Sequence, residues 1–282
     1  MRHSKKTQRA ESDDKLQFAA SKKSPASRKS NVSSGKQLQQ LYRLYEDALD
    51  TYSQSALAKT IEDMLQTKSR PRITKIVSLG LGSLLDAKDQ QRRIKQLVVL
   101  MAIASHLNPT IDNINVLQIY AQDPTFTTAD ETFLKSLGIT VLKTPSIATL
   151  GEAGRMMNEE TLVYSPFLTL ETYKLLLSSS QTSINVPILL SDDFNSLRLK
   201  WDKRTTERKD VEGLIQGIRI GNYRRRAVNG EGFWTEADRP FPMALYWRQP
   251  TQTDLAVTRN VEPTVPSGTF SKFERQAIPI HA

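Results

Sequence analysis

Blocks of apolar and polar positions in the middle of the chain predict a repeated succession of strand, turn and helix. The first block, residues 73–83 (ITKIVSLGLGS), begins with β-branched and apolar side chains and ends on two glycines and a serine. Such a block is typical of a buried strand that ends in a tight turn before a helix. Its apolar side chains fall on both faces, as a central strand of a parallel sheet requires. Gly80 and Gly82 supply the backbone freedom of the turn.

Later blocks repeat this pattern. Short apolar runs predict four more strands, at residues 114–120, 139–142, 161–164 and 187–190. Helical periodicity predicts one or two amphipathic helices in 37–66 and a short helix at 170–177. It also predicts a helix that is capped by Asp86 and runs to about Leu107. Another helix is predicted to start at Thr127 or Thr128, with Asp130 or Glu131 three residues on, and to stop at Gly138. Such alternation implies right-handed parallel crossovers. The predicted fold is α/β: a Rossmann-like, open, mostly parallel sheet with helices on both faces, preceded by an amphipathic helix and flanked by disordered tails.

Composition divides the chain into four segments. Residues 1–36 are Lys, Ser, Arg and Gln with almost no large apolar side chains, so we expect a disordered basic tail. Residues 37–195 form the predicted Rossmann-like domain. Residues 196–249 are charged and aromatic, and we expect an extension that packs in part on that domain. Residues 250–282, rich in Pro, Thr and Gln, are predicted to be a second disordered tail.

The charge of the chain lies mainly in its N-terminal tail. The net charge is +9, and residues 1–36 contribute +7 of it through ten basic and three acidic residues. The remainder is nearly neutral, which argues against nucleic acid as a partner of the folded domain, because nucleic-acid-binding proteins cluster basic residues on one face. The tail itself is either a nuclear-import or polyanion-binding segment or a solvated leader.

Several classes of protein are excluded or disfavoured. The chain contains no cysteine, which excludes disulfides, thiolate metal sites and a cysteine nucleophile. No apolar run reaches the ~18 residues of a membrane span, and the N-terminus lacks a hydrophobic signal core. We therefore expect a cytoplasmic protein without membrane contact, with a nuclear location left open by the basic tail. The sequence specifies no oligomeric state.

The candidate ligand-binding residues lie where the predicted strands end, because ligands of open parallel sheets bind beyond the carboxyl ends of the strands. They are Gly80, Gly82, Ser83, Asp123, Ser165, Asp192 and Asp193. In a nucleotide site, Gly80-x-Gly82 would admit a phosphate or ribose at the N-terminus of the next helix, and Asp123 would accept ribose hydroxyls.

A structural interpretation of the same residues is favoured. Leu85 stands where G-x-G-x-x-G has its third glycine, so the glycines are expected to form a sharp turn and Asp123 to terminate a strand. Asp192 and Asp193 could bind a cation or act as a base, but an adjacent pair after a strand is expected to form a helix cap or a turn. The only histidines are His3, His106 and His281, and G-x-S-x-G is absent around Ser83. We predict no catalytic residue and no metal site, and the sequence specifies no cofactor.

Four motifs together resemble a known family. They are residues 73–84 (ITKIVSLGLGSL), 122–141 (QDPTFTTADETFLKSLGITV), 161–168 (TLVYSPFL) and 189–195 (LLSDDFN). Their order and spacing, over about Leu38 to Asn195, resemble the "sensitivity to red light reduced" domain family, especially its fungal members. The resemblance implies a Rossmann-like domain and regulatory roles: light and clock signalling in plants, and links to haem metabolism or microtubule stability elsewhere. It implies no established catalytic mechanism.

The sequence departs from the plant and animal members of this family at two places. Pro166-Phe167-Leu168 stands where those members tend to have Pro-His-Cys, and Ser78 stands where a cysteine is frequent. Both departures remove candidate axial ligands of haem.

Three hypotheses of function follow. The first is a non-enzymatic regulatory or interaction protein with protein partners and an optional ligand-sensing role. The second is an enzyme or binder of the nucleotide or S-adenosylmethionine type that uses Gly80, Gly82, Ser83 and Asp123. The third is a haem-binding regulator that uses His106 or Tyr164.

Overall fold

The computed structural model describes residues 30–66, 70–108, 117–144, 149–177, 186–228, 230–238 and 242–249, with side chains from residue 35 onward. Residues 1–29 and 250–282 lie outside this part, so the disorder predicted for them is not addressed. Residues 30–36, also predicted to be disordered, belong to the first helix.

Seven strands form one sheet, in the order β3-β2-β1-β4-β5-β7-β6. The strands are β1 (Lys75–Leu79), β2 (Gln118–Gln122), β3 (Ile139–Val141), β4 (Thr161–Ser165), β5 (Ile188–Asp192), β6 (Tyr223–Val228) and β7 (Met243–Arg248). The first five are parallel to one another. β7 runs antiparallel to both of its neighbours, β5 and β6. The predicted open, mostly parallel sheet is therefore confirmed.

Eight α-helices are described. They are α1 (Ser30–Ser53), α2 (Ala56–Leu65), α3 (Gln90–Leu107), α4 (Thr128–Ser136), α5 (Gly151–Met156), α6 (Leu170–Leu177), α7 (Phe194–Leu199) and α8 (Thr206–Ile220), and a short 3₁₀ turn lies at Glu236–Asp238. Within the described residues, none of the helices combines the length and the apolar character needed to cross a bilayer.

Neighbouring residues of each central strand feed two separate cores. Ile76 of β1 packs with α1–α4 on one face of the sheet, and Val77 packs with α5–α8 on the other. Leu162 and Val163 of β4 divide in the same way. Successive strand side chains point to opposite faces, so a strand that is covered on both sides must be apolar at every position. Helices on both faces of the sheet follow from this pattern.

The start of α3 differs from the prediction. Its N-cap is Asp89 rather than Asp86. The Leu84 side chain is fully buried, its N–H donates to Asp130 and its carbonyl accepts from the Gln90 side chain. Because both backbone groups of Leu84 are bonded outside the helix, the chain makes a turn before α3 begins.

β2 also lies further along the chain than predicted. It starts at Gln118, and residues 114–116 of the predicted strand lie outside the described residues. The start of α4 agrees with the prediction: Thr127 is the N-cap and forms a capping box with Asp130. Gly138, predicted to stop this helix, has a φ of 79°.

Residues 196–249 contribute α8 and the two antiparallel strands. Only partial packing on the domain was expected of them, whereas β7 pairs directly with β5 inside the sheet. The segment 230–238 is joined to α3 by a buried ion pair in which Lys95 Nζ lies 2.6 Å from Asp238 Oδ2. Lys95 also donates to the carbonyl of Phe233.

Asp130 connects the turn after β1 to α4. Its carboxylate is fully buried and accepts hydrogen bonds from Ser83 Oγ, the Leu84 N–H and both the N–H and the hydroxyl of Thr127, at 2.8–3.0 Å. A buried carboxylate with four donors holds those donors in place and leaves them unsatisfied when it is removed.

We expect Asp130→Asn to lower the free energy of unfolding by about 2–4 kcal/mol, because the amide nitrogen of Asn cannot accept from these donors. Urea denaturation followed by circular dichroism measures the change. The exposed neighbour Glu131 lies in the same first turn of α4, and Glu131→Gln removes the same charge. Equal losses in the two variants would contradict the assigned role of Asp130.

Candidate functional site

A cleft opens at the carboxyl edge of the sheet, between the ends of β1 and β4. β2 and β3 lie on one side of β1, and β4 and β5 lie on the other, so the chain changes direction across the sheet at this point. Open α/β sheets bind ligands at such topological switch points. The cleft has a volume of about 510 Å³, which suits a small organic molecule.

Six parts of the chain line the cleft. They are residues 79–82 after β1, residues 122–125 at the end of β2, Arg92, Arg93 and Gln96 of α3, residues 167–169 after β4, and Glu171, Thr172 and Leu175 of α6, with Thr144, Thr149 and Leu150 at its side. The walls are mostly apolar, and the charged side chains stand at a few places. Specific small-molecule sites share this composition.

The glycine turn after β1 is built for close packing. Gly80 and Gly82 have φ values of 74° and 73°, in the left-handed region that favours glycine. A Cβ on Gly80 would lie 2.3 Å from Leu168 Cδ2, and one on Gly82 would lie 2.5 Å from Arg93 Nε. Both glycines therefore make room for neighbouring protein side chains.

The backbone amides of this turn are already bonded within the protein. The N–H groups of Gly80, Gly82, Ser83, Leu84 and Leu85 donate to Gln122 O, Asp123 Oδ2, Thr125 Oγ1, Asp130 Oδ1 and Ser83 Oγ. α3 begins eight residues after Gly82, so its N-terminus is not at the turn. This geometry argues against the phosphate cradle considered for Gly80-x-Gly82 and agrees with the structural interpretation of the two glycines.

Asp123 stands at the mouth of the cleft with a fixed orientation. Its Oδ2 accepts from the Gly82 N–H at 2.9 Å, and its Oδ1 accepts from both the N–H and the hydroxyl of Thr125. An ionised carboxylate offers about four acceptor sites. Oδ2 therefore keeps capacity for a hydroxyl or amine donor of a ligand.

Of the seven candidate residues, Gly80, Gly82 and Asp123 line the cleft. Ser83 and Ser165 are buried beneath the surface instead. Ser83 Oγ donates to Asp130, and the Ser165 carbonyl accepts from the Tyr173 hydroxyl. Both serines thus lie behind the cleft and contact its supporting residues.

Asp192 and Asp193 also have supporting positions. Asp193 is the N-cap of α7, as predicted, and forms a two-contact ion pair with Arg225. Asp192 is buried and accepts from the N–H of Phe167 at 2.8 Å. Phe167 has a φ of 66°, which is unusual for a residue with a side chain. Asp192 therefore stabilises the turn that presents Phe167 to the cleft.

Sequence reasoning missed the α3 side of the cleft. Arg92 and Gln96 are four residues apart on α3, hence on the same face. The Arg92 guanidinium lies over the Phe167 ring, with its carbon 5.2 Å from the ring centroid. The sequence contains no clear signal for them, because Lys95 and Gln96 continue the polar start of the helix (QQRRIKQ) and the apolar stretch begins only at Leu97.

Polar groups in the cleft are buried without hydrogen-bond partners. Gln96 is 2% exposed as a residue, and no hydrogen bond joins its side-chain amide to another described residue, although the amide atoms are not fully enclosed. Arg92 Nε and Thr144 Oγ1 are buried and unpartnered in the part of the chain that the structure describes. Each such group costs about 1–3 kcal/mol when it stays unsatisfied, and a ligand or water that bonds to it removes this cost.

The two residues considered as haem ligands, Tyr164 and His106, do not line the cleft. The Tyr164 hydroxyl is buried and donates to the Gln96 carbonyl, and burial raises its pKa well above the usual value for tyrosine. His106 is exposed in the last turn of α3 and is not among the cleft residues. Among the described residues, no group of three His, Asp or Glu side chains is placed to hold a metal ion.

The protonation of Asp192 makes stability depend on pH. Burial raises its pKa to about 6, against 3.8 for an exposed aspartate. The folded state then binds this proton more tightly than the unfolded state, so this group's contribution to stability falls as the pH rises from about 4 to above 6. The difference in pKa corresponds to about 3 kcal/mol.

We expect Asp192→Asn to remove this pH dependence. The free energy of unfolding of the variant minus that of wild type should therefore increase by up to about 3 kcal/mol between pH 4 and pH 7. Denaturant titrations at a series of pH values measure this difference. Asp202→Asn, at an exposed aspartate, is the matched control. A constant difference between Asp192→Asn and wild type across that range would contradict the assignment.

Solved structures with similar backbones were compared with the chain. An O-methyltransferase from Bacillus cereus in complex with SAH is 6% identical, with a TM-score of 0.44, and the match covers 76% of this chain and 91% of that one. A putative O-methyltransferase from Klebsiella pneumoniae is 12% identical, with a TM-score of 0.42 and coverages of 78% and 97%. Fibrillarin from Aeropyrum pernix with bound S-adenosyl-L-methionine is 12% identical, with a TM-score of 0.41 and coverages of 70% and 76%. Similarities this low carry no argument about function.

Sequence comparison identifies the family. No curated protein sequence matches the chain significantly. The family profile of the SRR1 domain matches residues 46–237, which is more than half of the chain and includes every part of the cleft. This chain therefore belongs to the SRR1 domain family.

Proposed function

We propose that this protein, a fungal-type member of its family, is a regulatory protein that binds a small organic molecule in the cleft and acts through protein partners. The observation that carries the proposal is a cleft at the switch point of the sheet that contains two buried polar atoms without partners in the described part of the chain, Arg92 Nε and Thr144 Oγ1, together with the side-chain amide of Gln96. A ligand that bonds to these groups stabilises the bound form and gives the protein two states, which a partner can distinguish.

The side chains of the cleft support binding more than catalysis. Among its described residues there is no histidine, cysteine or lysine, which leaves its two carboxylates as the candidate bases. The carboxylates are Asp123 and Glu171, and Asp123 is occupied by Gly82 and Thr125. A regulatory role is also what membership of the SRR1 domain family favours.

The second candidate is an enzyme of the nucleoside or S-adenosylmethionine type. The observation in its favour is the position of Asp123, directly after β2 and beside the glycine turn. In dinucleotide-binding folds an acidic residue near this place accepts ribose hydroxyls. Oδ2 of Asp123 has the capacity for such a bond. The two candidates differ in whether the bound molecule is converted.

The test is thermal unfolding of the full chain with a panel of nucleosides, nucleotides, S-adenosylmethionine, NAD(P) and haem. A ligand at 100 times its dissociation constant adds roughly 2.7 kcal/mol to the free energy of unfolding and raises the melting temperature. Mass spectrometry after long incubation then shows whether the ligand is recovered unchanged. Unchanged ligand supports regulation, and turnover supports the enzyme.

We expect Asp123→Asn to reduce the melting shift caused by a panel ligand that carries hydroxyl or amine donors, because Asn keeps the shape but loses the charge that such donors prefer. Asp202→Asn is again the control and should leave the shift unchanged. A panel without any melting shift would remove the ligand from the proposal. Affinity capture that recovers no stable partner with or without ligand would remove the regulatory part.

A further inference from the structure

We infer that the cleft binds the anionic group of a small organic acid or phosphate ester through Arg92 and Gln96 of α3, and not through the glycine turn. This inference rests on the proposed function, since it names the ligand class of the same cleft. The shared chemistry is an oxyanion on an apolar body that carries a hydroxyl or amine at its other end.

The first step concerns which cation is available. Arg93 is already engaged, because its Nη1 donates to the Ser83 carbonyl at 2.7 Å and lies 3.1 Å from Asp86. Arg92 makes one ion pair, with Nη2 3.1 Å from Asp89, while its Nε is buried and has no partner within the described residues. A guanidinium carries five N–H donors in a planar fork that matches carboxylate and phosphate oxygens. Of the two arginines, Arg92 is therefore the one with N–H donors available for a ligand.

The second step concerns Gln96, one helical turn further along the same face of α3. The helix is fixed at this point, because the Gln96 carbonyl accepts from the buried Tyr164 hydroxyl at 2.9 Å. Gln96 lines the cleft, and in the described part of the chain its side-chain amide has no hydrogen-bond partner while its atoms are not fully enclosed. The NH₂ group of Gln96 offers two more donors to the same oxyanion of the ligand that Arg92 would bind.

The third step excludes the glycine turn as the anion site. Most of its amides donate to protein acceptors, and the Asp123 carboxylate lies 2.9 Å from the Gly82 nitrogen, where it would repel an anion. The charged groups of the cleft are therefore the arginines of α3, Asp123 at the end of β2 and the exposed Glu171 of α6, so the donors stand on α3 and the acceptors elsewhere. Leu150, Leu168 and Leu175 form apolar wall between these parts. An oxyanion at α3 and a hydroxyl or amine at Asp123 match this division.

The test uses simple anions, so it does not depend on knowing the ligand. The full chain, with ¹⁵N-labelled glutamine and arginine side chains, is titrated with inorganic phosphate, acetate and phenylacetate. We expect the signals of the Gln96 amide and Arg92 Nε to shift saturably. Phenylacetate should bind at least about tenfold more tightly than acetate, since burying its ring gains free energy from the apolar walls. Stronger binding of phosphate than of acetate would assign a phosphate ester, and the reverse a carboxylate.

Variants separate this site from general charge effects. Arg92→Gln should weaken binding of the preferred anion about ten- to hundredfold, the range for a charged hydrogen bond, and Arg92→Lys should restore part of it. Arg155→Gln removes the same charge from an exposed arginine of α5 and should change little. Gln96→Met keeps the volume and removes an unsatisfied amide. It should weaken anion binding while the empty protein melts at the same or a higher temperature.

Several results would overturn the inference. They are the absence of a saturable shift with any of the three anions, shifts centred on the amides of residues 80–83, equal loss of binding in Arg92→Gln and Arg155→Gln, or a lower melting temperature of Gln96→Met without ligand. A panel ligand whose affinity survives both Arg92→Gln and Gln96→Met would overturn the inference and leave the proposed function intact. If phosphate or acetate binds at Gln96 but no panel ligand raises the melting temperature, the inference about the anion site stands and the proposed ligand of the cleft is removed.

Discussion

The buried carboxylate of Asp130 holds the carboxyl end of β1 in place, and much of the cleft depends on it. The chain leaves β1 through two glycines with positive φ. The backbone N–H groups of this turn are not paired within a strand or helix, so they need other hydrogen-bond acceptors. Asp130 supplies them for Ser83 and Leu84, while Asp123 and Thr125 serve the preceding amides. The segment after β2 thereby fixes the turn after β1. The loop after β1 then determines where α3 begins, and so the position of the first two helical turns of α3 at the cleft.

The parts of the fold that sequence reasoning predicts well are those whose signals are local. α4 carries its own capping box, and α6 was predicted with the bounds that it has. β1 shows the continuous apolar pattern of a strand covered on both faces. The start of α3 was misplaced because the residue that delays it, Leu84, is held by Asp130, which lies 46 positions away. No local pattern contains that information.

The two antiparallel strands escaped prediction for a different reason. β6 has the sequence YRRRAV, and its three arginines are exposed at the edge of the sheet. An edge strand with charged side chains resembles a solvated loop in sequence, since such charges protect the edge against further pairing. The site was predicted in part for similar reasons: glycines and an aspartate at strand ends are visible in sequence. Arg92, Gln96 and Phe167 reach the cleft only through the packing of α3 and the turn after β4 against the sheet.

The position of β7 has a consequence for how the protein is made. β7 is the last of the described strands in sequence, yet it lies inside the sheet, between β5 and β6. Until β7 is synthesised, the edge of β5 is unpaired, and three of its buried residues are Ile188, Leu189 and Leu190. Asp238, the ion-pair partner of Lys95, is also synthesised late. Without β7, the sheet can contain its five parallel strands but not β6, which pairs with β7. Such an unpaired edge can pair with other chains until residue 248 is available.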